Sequence, residues 1–245
     1  MTISPIGLPI EALDTPTLLV DLDILERNLQ RMKRIIMDEA GIAWRPHTKG
    51  MKTPTLAHML MRAGAHGITC AKLGEAEVMA AGGVQNILIA NQVVGPLKAK
   101  RLARLQRSTS VLSCVDSECG AAFLGAAAIA EGTRVPVVIE VDTGMGRAGV
   151  LPGDATVDLA KRVDQIDGVE LVGLMTWEAA AAKEADIDAK RAAATRMLTG
   201  LTESADACRA AGLNMEIVTC GGTLTYWFSA FHPGVTEMQA GGGIY

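Results

Sequence analysis

The sequence predicts a (β/α)8 barrel of parallel strands, and three of its features lead to this fold class. Short apolar segments rich in β-branched residues alternate with amphipathic segments along almost the whole chain, which is typical of βαβ units. The apolar segments are continuous, as in VPVVIEV at 135–141, so we expect both faces of the sheet to be covered. About eight such units within 245 residues fit one closed barrel.

The apolar segments are the predicted strands, and helical segments separate them. We expect strands at 42–45, 67–70, 86–90, 110–114, 135–141, 169–176, 215–220 and 236–239. We expect helices at 23–40, 55–63, 74–81, 97–105, 117–130 and 183–211. An open doubly wound sheet is the alternative arrangement, but no Gly-x-Gly-x-x-Gly motif follows the first predicted strand.

Two segments do not follow this alternation. The strand-like sequence TLLVD at 17–21 precedes the first long helix, so we expect it to pair outside the barrel. The alanine-rich sequence WEAAAAKEADIDAK at 177–190 predicts a surface helix stabilised by helix propensity and by charge pairs.

The composition argues against several classes of partner and site. With a net charge of -4 and a pI near 5.6, we expect neither nucleic acid nor a membrane surface as a partner. No apolar stretch approaches the roughly 18 residues of a membrane span, and the N-terminus lacks the features of a signal peptide. Five cysteines without a Cys-x-x-Cys pair indicate reduced thiols in a cytoplasmic protein rather than a disulfide framework or a zinc site.

The sequence AWRPHTKGMKTP at 43–54 places polar residues where the first strand ends. Alternation puts Arg45, His47 and Lys49 on one side, which we expect to face the barrel interior. Functional residues of barrels gather at the carboxyl ends of strands, and a partly desolvated lysine there has a lowered pKa that favours Schiff-base chemistry. The alternative is that Lys49 and Lys52 are solvated residues of a strand-to-helix loop.

Two glycine-rich turns follow the last two predicted strands. They are Cys220-Gly-Gly-Thr223 and Ala240-Gly-Gly-Gly243. Turns at these positions of a barrel frequently bind phosphate through backbone N–H groups, and Thr223 would add a hydroxyl. Each motif alone is typical of a tight turn. Together, opposite a buried lysine, they fit a phosphorylated aldehyde, pyridoxal 5'-phosphate.

A third glycine-rich segment, EVDTGMGRAG at 140–149, follows the fifth predicted strand. Its glycines allow the loop to fold over the barrel mouth, which would direct Arg147 at whatever is bound there. The alternative is an ion pair between Arg147 and Asp142 that only ties the loop.

These motifs together resemble the D-threonine aldolase/D-serine dehydratase family, fold-type III pyridoxal phosphate enzymes related to alanine racemase. The likeness extends over nearly the whole chain, through TPTLLVDLDILERN, RPHTKGMKTP, GITCAKLGEAE, EVDTGMGRAGV, CGGT and TEMQAGGG. The resemblance implies an alanine racemase-type barrel in which Lys49 carries the cofactor and Arg147 lies near the pyridine nitrogen. It also implies a phosphate site formed by Gly222, Thr223, Gly241 and Gly242.

The chain departs from the family pattern at several positions. Met51 stands where relatives usually have a second histidine, and Ala179-Ala180 follow Trp177-Glu178 where relatives often have Gly-His. The family's metal ligands lie in a C-terminal β-domain, so residues 1–245 are expected to be a single cofactor-binding barrel without that domain. The Mn²⁺ or Zn²⁺ expected for the family would then have no ligands in this chain. Family members are commonly homodimers.

Three functions remain open. The first is an aldolase that cleaves the Cα–Cβ bond of β-hydroxy D-amino acids such as D-threonine or 3-hydroxy-D-aspartate, with this chain as its barrel domain. The second is a dehydratase of D-serine or D-threonine, which would use the same cofactor and lysine. The third is a non-catalytic, single-domain protein of pyridoxal phosphate homeostasis. An amino acid is the expected small-molecule partner in the first two.

Overall fold

The structure, a computed structural model, describes residues 5–245 and contains the predicted eight-stranded parallel barrel. The strands are β1 (Ala43–Trp44), β2 (Ile68–Cys70), β3 (Ile87–Gln92), β4 (Val111–Val115), β5 (Val135–Glu140), β6 (Val169–Met175), β7 (Ile217–Cys220) and β8 (Glu237–Met238). From β2 to β8 each strand pairs with the next one in the chain, and β8 pairs with β1. A parallel bridge between His47, which follows β1, and Thr69 of β2 closes the ring.

Helices surround the barrel and connect successive strands. They are α1 (Leu22–Lys33), α2 (Pro54–Arg62), α3 (Leu73–Ala81), α4 (Pro96–Leu105), α5 (Glu118–Glu131), α6 (Asp154–Asp164), α7 (Ile187–Ala210) and α8 (Tyr226–Ser229). A π-helix, Arg34–Glu39, continues α1. Prolines at the first turns of α2 and α4 suit positions where no helical N–H bond is needed. No helix within residues 5–245 is long and apolar enough to cross a membrane.

The continuous apolar strands bury both of their faces, as predicted. In β5, Val137 and Ile139 join the large core between the sheet and the helices. Val138, between them in sequence, packs inside the barrel with Leu112 and Met175. Because successive side chains of a strand point to opposite faces, only an uninterrupted apolar segment can serve both cores.

The amino end of the barrel interior contains a buried ion pair. Arg45 Nε lies 2.8 Å from Glu237 Oε2, and both residues are buried. Arg45 Nη1 also donates to the backbone oxygen and to Oδ1 of Asn86. The predicted inward orientation of Arg45 is therefore confirmed.

Alternation does not extend to Lys49, in contrast to the prediction. Regular β1 pairing ends at Trp44, and residues Thr48–Gly50 form a 3₁₀ turn that contains Lys49. Pro46 has no N–H to donate to the ladder, which explains why the strand stops before the lysine.

Within residues 5–245 the segment at 17–21 forms no strand and does not join the barrel sheet, so its expected pairing outside the barrel stays a prediction. Asp21 instead caps α1, where its carboxylate accepts a hydrogen bond from the N–H of Ile24. Leu18 is 90% exposed, which means that the apolar side chains of this segment have no packing partner to stabilise a strand.

The alanine-rich segment at 177–190 is also not a single surface helix. A 3₁₀ helix, Ala179–Lys183, precedes α7, and Asp186 caps α7 by accepting from the N–H groups of Asp188 and Ala189. An N-cap residue has extended rather than helical backbone, so this cap divides the segment. Glu178 and Ala181 are buried, contrary to the expected surface position.

Candidate active site

A pocket opens at the carboxyl ends of the strands and has a volume of about 280 Å³. Its walls include every residue that the sequence predicted for the cofactor site: Lys49, Arg147, Gly222, Thr223, Gly241 and Gly242. These residues lie in four separate loops of the sequence. They meet because the carboxyl ends of all eight parallel strands face the same side of a barrel.

Lys49 projects over the aromatic wall of this pocket. Its Nζ lies 4.5 Å from the centre of the Trp177 ring, a cation–π distance. Partial desolvation, and then the positive charge of Arg147, lower the pKa of Lys49, as the sequence predicted. The residue is nevertheless exposed, so the expectation of a buried lysine was wrong. The 3₁₀ turn carries Lys49 to the rim of the pocket rather than to the barrel interior.

The two lysines of the loop have different surroundings. Lys52 Nζ lies 3.0 Å from Glu75 Oε1, and the other oxygen of Glu75 accepts from the N–H of Ala71. Lys52 is therefore paired outside the pocket, whereas Lys49 lines it. The alternative of a solvated loop residue describes Lys52 better than Lys49.

His47 supports the turn that carries Lys49. Its Nδ1 accepts a hydrogen bond from the Lys49 N–H at 3.3 Å, which requires an unprotonated Nδ1. Burial, followed by the charge of Lys49, lowers the pKa of His47 to about 4. The imidazole is therefore neutral at physiological pH and acts here as a hydrogen-bond acceptor.

Arg147 forms its ion pair with a residue other than Asp142, the partner that the sequence suggested. Among residues 5–245 its ion-pair partner is Glu140, with Nη2 3.0 Å from Oε1. Asp142 instead accepts from the N–H groups of Gly144, Met145 and Gly146. The predicted alternative of an Arg147–Asp142 pair is therefore wrong, because the carboxylate of Asp142 is used to fold the loop itself.

Glu140 lies at the end of β5 and is almost completely buried. Its second oxygen accepts from Gln92 Nε2 at 2.6 Å and from the thiol of Cys114 at 3.6 Å. These bonds fix the carboxylate, which in turn holds the Arg147 guanidinium 4.9 Å from the Trp177 ring centre. Two cations thus lie on one indole ring.

The glycine turns provide hydrogen-bond donors that the protein does not use. Hydrogen bonding among the described residues leaves the N–H groups of Gly222, Thr223 and Gly241 without a protein acceptor. The Gly242 N–H donates to Thr223 Oγ1 at 3.0 Å, so the two turns are joined and the threonine proton remains available. Unpaired backbone donors beside two cations form an anion-binding site.

Close approach explains why these positions are glycine. A Cβ at Gly241 would overlap the backbone oxygen of His47, and one at Gly222 would lie 2.8 Å from the indole nitrogen of Trp177. The lysine amine, the indole ring and the free donors together fit a flat aldehyde that carries a phosphate. Within residues 5–245 no group of three or more His, Cys, Asp or Glu side chains could hold a metal ion.

The sequence did not single out Trp177, Glu140 or Gln92 as site residues. Each lies at or just beyond the end of a predicted strand, which is the position that marks function in a barrel. That signal could have found them, although it could not have shown which of them contact one another.

Comparisons with known proteins agree with this geometry. The family model of the alanine racemase N-terminal domain matches residues 20–245. A D-threonine aldolase from Arthrobacter sp is 34% identical over 236 residues, which cover 96% of this chain and 62% of that protein. A D-threo-3-hydroxyaspartate dehydratase from Delftia sp. (strain HT23) is 36% identical over 230 residues, which cover 94% and 60%. The crystal structure of D-threonine aldolase from Filomicrobium marinum has a TM-score of 0.91 and 37% identity, over 95% of this chain and 63% of that one.

The chain spans about three fifths of the length of the curated relatives it matches. The family match covers the barrel strands together with every wall residue of the pocket, since all of these lie after residue 20. On this match and on its eight-stranded parallel barrel, the chain belongs to the alanine racemase N-terminal domain family.

Proposed function

We propose that this chain is the pyridoxal 5'-phosphate-binding barrel of a carbon–carbon lyase that acts on β-hydroxy D-amino acids such as D-threonine or 3-hydroxy-D-aspartate. One observation carries the proposal: a lysine amine of lowered pKa lines the same pocket as two glycine turns with free N–H donors. Membership of the family and the aldolases among the relatives support the reaction class.

Each end of the cofactor has matching groups in the pocket. When bound, the cofactor supplies an electron sink for bonds at the α-carbon of an amino acid. Lys49 provides the amine for the aldehyde, and its lowered pKa increases the fraction of neutral, nucleophilic amine. The turns with Gly222, Thr223, Gly241 and Gly242 provide the phosphate site through backbone N–H groups and one hydroxyl.

Arg147 is proposed to lie near the pyridine nitrogen, where a cation disfavours protonation of the ring. The Glu140 carboxylate holds the guanidinium in place, and Gln92 holds the carboxylate. Trp177 gives the pocket a flat wall whose face both cations already contact. These residues orient an aromatic ring without bonding to it.

The proposal also includes the domain organisation, the oligomeric state and the cellular location of the protein, and a metal ion. Residues 1–245 act as one cofactor-binding domain, and the protein is a homodimer in the cytoplasm. A divalent metal, Mn²⁺ or Zn²⁺, would polarise the β-hydroxyl group of the substrate if it were bound, but no group of side chains within residues 5–245 could hold it. Sedimentation equilibrium tests the dimer, and assays with and without each ion test the metal.

The test begins with cofactor attachment. The purified chain is incubated with pyridoxal 5'-phosphate, reduced with borohydride and digested, and mass spectrometry locates the pyridoxyl group. We expect it on the peptide that contains Lys49; attachment only at surface lysines would overturn the proposal. D-Threonine is then added with and without Mn²⁺, and release of glycine and acetaldehyde would show that the lyase reaction occurs.

A dehydratase is the second candidate, and the identity with the Delftia dehydratase favours it. Its products from D-threonine are 2-oxobutanoate and ammonia, which a coupled dehydrogenase assay separates from acetaldehyde. Labelled Lys49 without either product favours the non-catalytic cofactor carrier or a barrel domain that is inactive by itself.

A further inference from the structure

The carboxylate of Glu178 is fully buried three residues after the end of β6, and the proposed function does not use it. Its Oε2 accepts from the Gly221 N–H at 3.0 Å, and its Oε1 accepts from Thr225 Oγ1 at 2.7 Å. One side chain from the β6 loop therefore holds both ends of the turn at 221–225, which follows β7.

The two residues with free N–H donors lie between the two ends of the turn that Glu178 binds. Gly222 and Thr223 present their unpaired N–H groups from the middle of the turn. The N–H groups of Thr225 and Tyr226 donate to the Gly222 oxygen at 3.2 and 3.1 Å, which folds the turn onto itself. With both ends held by Glu178, the direction of the middle N–H groups is fixed.

Gly221 shows that this turn is held in a demanding conformation. Its φ of +111° lies in the region that favours glycine, and a Cβ there would overlap Met238 Sδ of β8. The Gly221 N–H has Glu178 as its acceptor, so the carboxylate satisfies a buried backbone donor at the tightest point of the turn.

A buried carboxylate beside an anion-binding site is unfavourable in free energy unless it has a structural role there. Burying such a group costs free energy unless it is hydrogen-bonded, and its charge repels a bound phosphate. Glu178 is not among the wall residues of the pocket, and both of its oxygens accept bonds from the turn. Its benefit must therefore lie in the geometry of the turn.

We propose that Glu178 is the positioning residue of the phosphate site: it aims the Gly222 and Thr223 N–H groups into the pocket and so sets the preference for a phosphorylated over an unphosphorylated cofactor. The inference rests on the proposed function, because it assumes that pyridoxal 5'-phosphate is the anionic ligand.

The test compares the dissociation constants of the full chain for pyridoxal 5'-phosphate and for pyridoxal. Binding of each ligand is measured by the quenching of tryptophan fluorescence. In Glu178→Gln one oxygen becomes an amide that cannot accept, so one of the two bonds is lost. We expect the preference for the phosphorylated ligand to fall by about 10-fold, the order of one charge-assisted hydrogen bond, with pyridoxal binding unchanged.

Thr225 gives an independent pair of variants should Glu178→Gln fail to fold. Thr225→Val removes the hydroxyl that donates to Glu178 and is expected to lower the same preference. Thr225→Ser keeps the hydroxyl and is expected to restore it. Glu237→Gln is the matched control, since it changes a buried carboxylate at the amino end of the barrel and is expected to leave the preference unchanged.

The outcomes separate the two claims. If folded Glu178→Gln or Thr225→Val keeps the wild-type preference, or loses affinity for both ligands equally, the positioning role is wrong while the proposed function stands. If the wild-type chain itself shows no preference for the phosphorylated ligand and no label at Lys49, the proposed function fails.

Discussion

The two ends of the barrel interior both contain charged groups, but these groups are bonded differently. At the amino end, the Arg45 guanidinium is bound by Glu237 and Asn86. At the carboxyl end, Lys49 and Arg147 lie over Trp177 beside N–H groups that have no acceptor among residues 5–245. At the amino end the arginine is held by protein acceptors through Nε and Nη1, whereas at the carboxyl end the backbone donors remain open to a ligand.

This difference shows what distinguishes a binding site from a structural ion pair. Burial alone does not, because Arg45 is more buried than Lys49. Lysine with a free amine, next to glycine turns and an open pocket, can exchange its contacts for a ligand at little cost. Arg45 cannot do so without leaving the Glu237 carboxylate unpaired in the interior. Variants at each end therefore should affect different properties.

The largest effect is expected at the carboxyl end, from Lys49→Ala. Without the amine, specific attachment of pyridoxal 5'-phosphate should be abolished, which borohydride labelling and mass spectrometry measure. The melting temperature should change little, because Lys49 is exposed and forms no ion pair with any of residues 5–245. Lys52→Ala is the matched control and should keep the label. Persistent labelling of Lys49→Ala at a single other lysine would contradict the assignment.

At the amino end, Arg45→Met should lower stability and spare the ligand site. Removing one partner of a buried ion pair costs about 3–5 kcal/mol in the free energy of unfolding, which urea denaturation measures. Adding Glu237→Leu should recover part of the loss, because no buried carboxylate then remains unpaired. The affinity for pyridoxal 5'-phosphate should stay within about twofold; a larger change would show that the two ends are coupled.

A smaller effect is expected from Gly241→Ala, which tests the free donors at the carboxyl end. Its Cβ would overlap the His47 oxygen, and overpacking of this kind costs about 1–3 kcal/mol. Because the shift moves an unpaired N–H, cofactor affinity should fall together with stability. Gly74→Ala is the control, since no atom of residues 5–245 outside its neighbours and its own helix backbone lies within 4 Å of a Cβ there. If Gly241→Ala were destabilised but kept the wild-type affinity for the cofactor, Gly241 would not belong to the phosphate site.

The smallest effect concerns the pH dependence of stability through His47. Its pKa is about 4 in the folded protein against 6.5 in the unfolded chain. Below pH 6.5 the unfolded chain therefore binds a proton that the native state does not, and stability is lost as pH falls towards 4. Between pH 7 and pH 5 the loss should be about 1–2 kcal/mol in urea denaturation.

His47→Asn is the control for this titration, because asparagine keeps an acceptor for the Lys49 N–H but does not titrate. This variant should lose less stability than the wild type over the same pH interval. Equal losses in the two proteins would show that other groups cause the pH dependence.

The sequence by itself determined the barrel and the place of the site. Continuous apolar segments such as 135–141 are typical of strands covered on both faces, and glycine turns after the last two strands are local features. Since parallel strand ends converge, a lysine after β1 and glycines after β7 and β8 had to meet at one mouth, and the six predicted residues do line one pocket.

Only the tertiary structure decided which groups pair there. Arg147 binds Glu140 rather than Asp142, Lys49 lies in a 3₁₀ turn at the rim, and Glu178 is buried beneath the turn after β7. The physical reason is that a local pattern fixes which residues follow a strand. The distances between loops from different strands, and so the choice among nearby partners, depend on how the whole barrel closes.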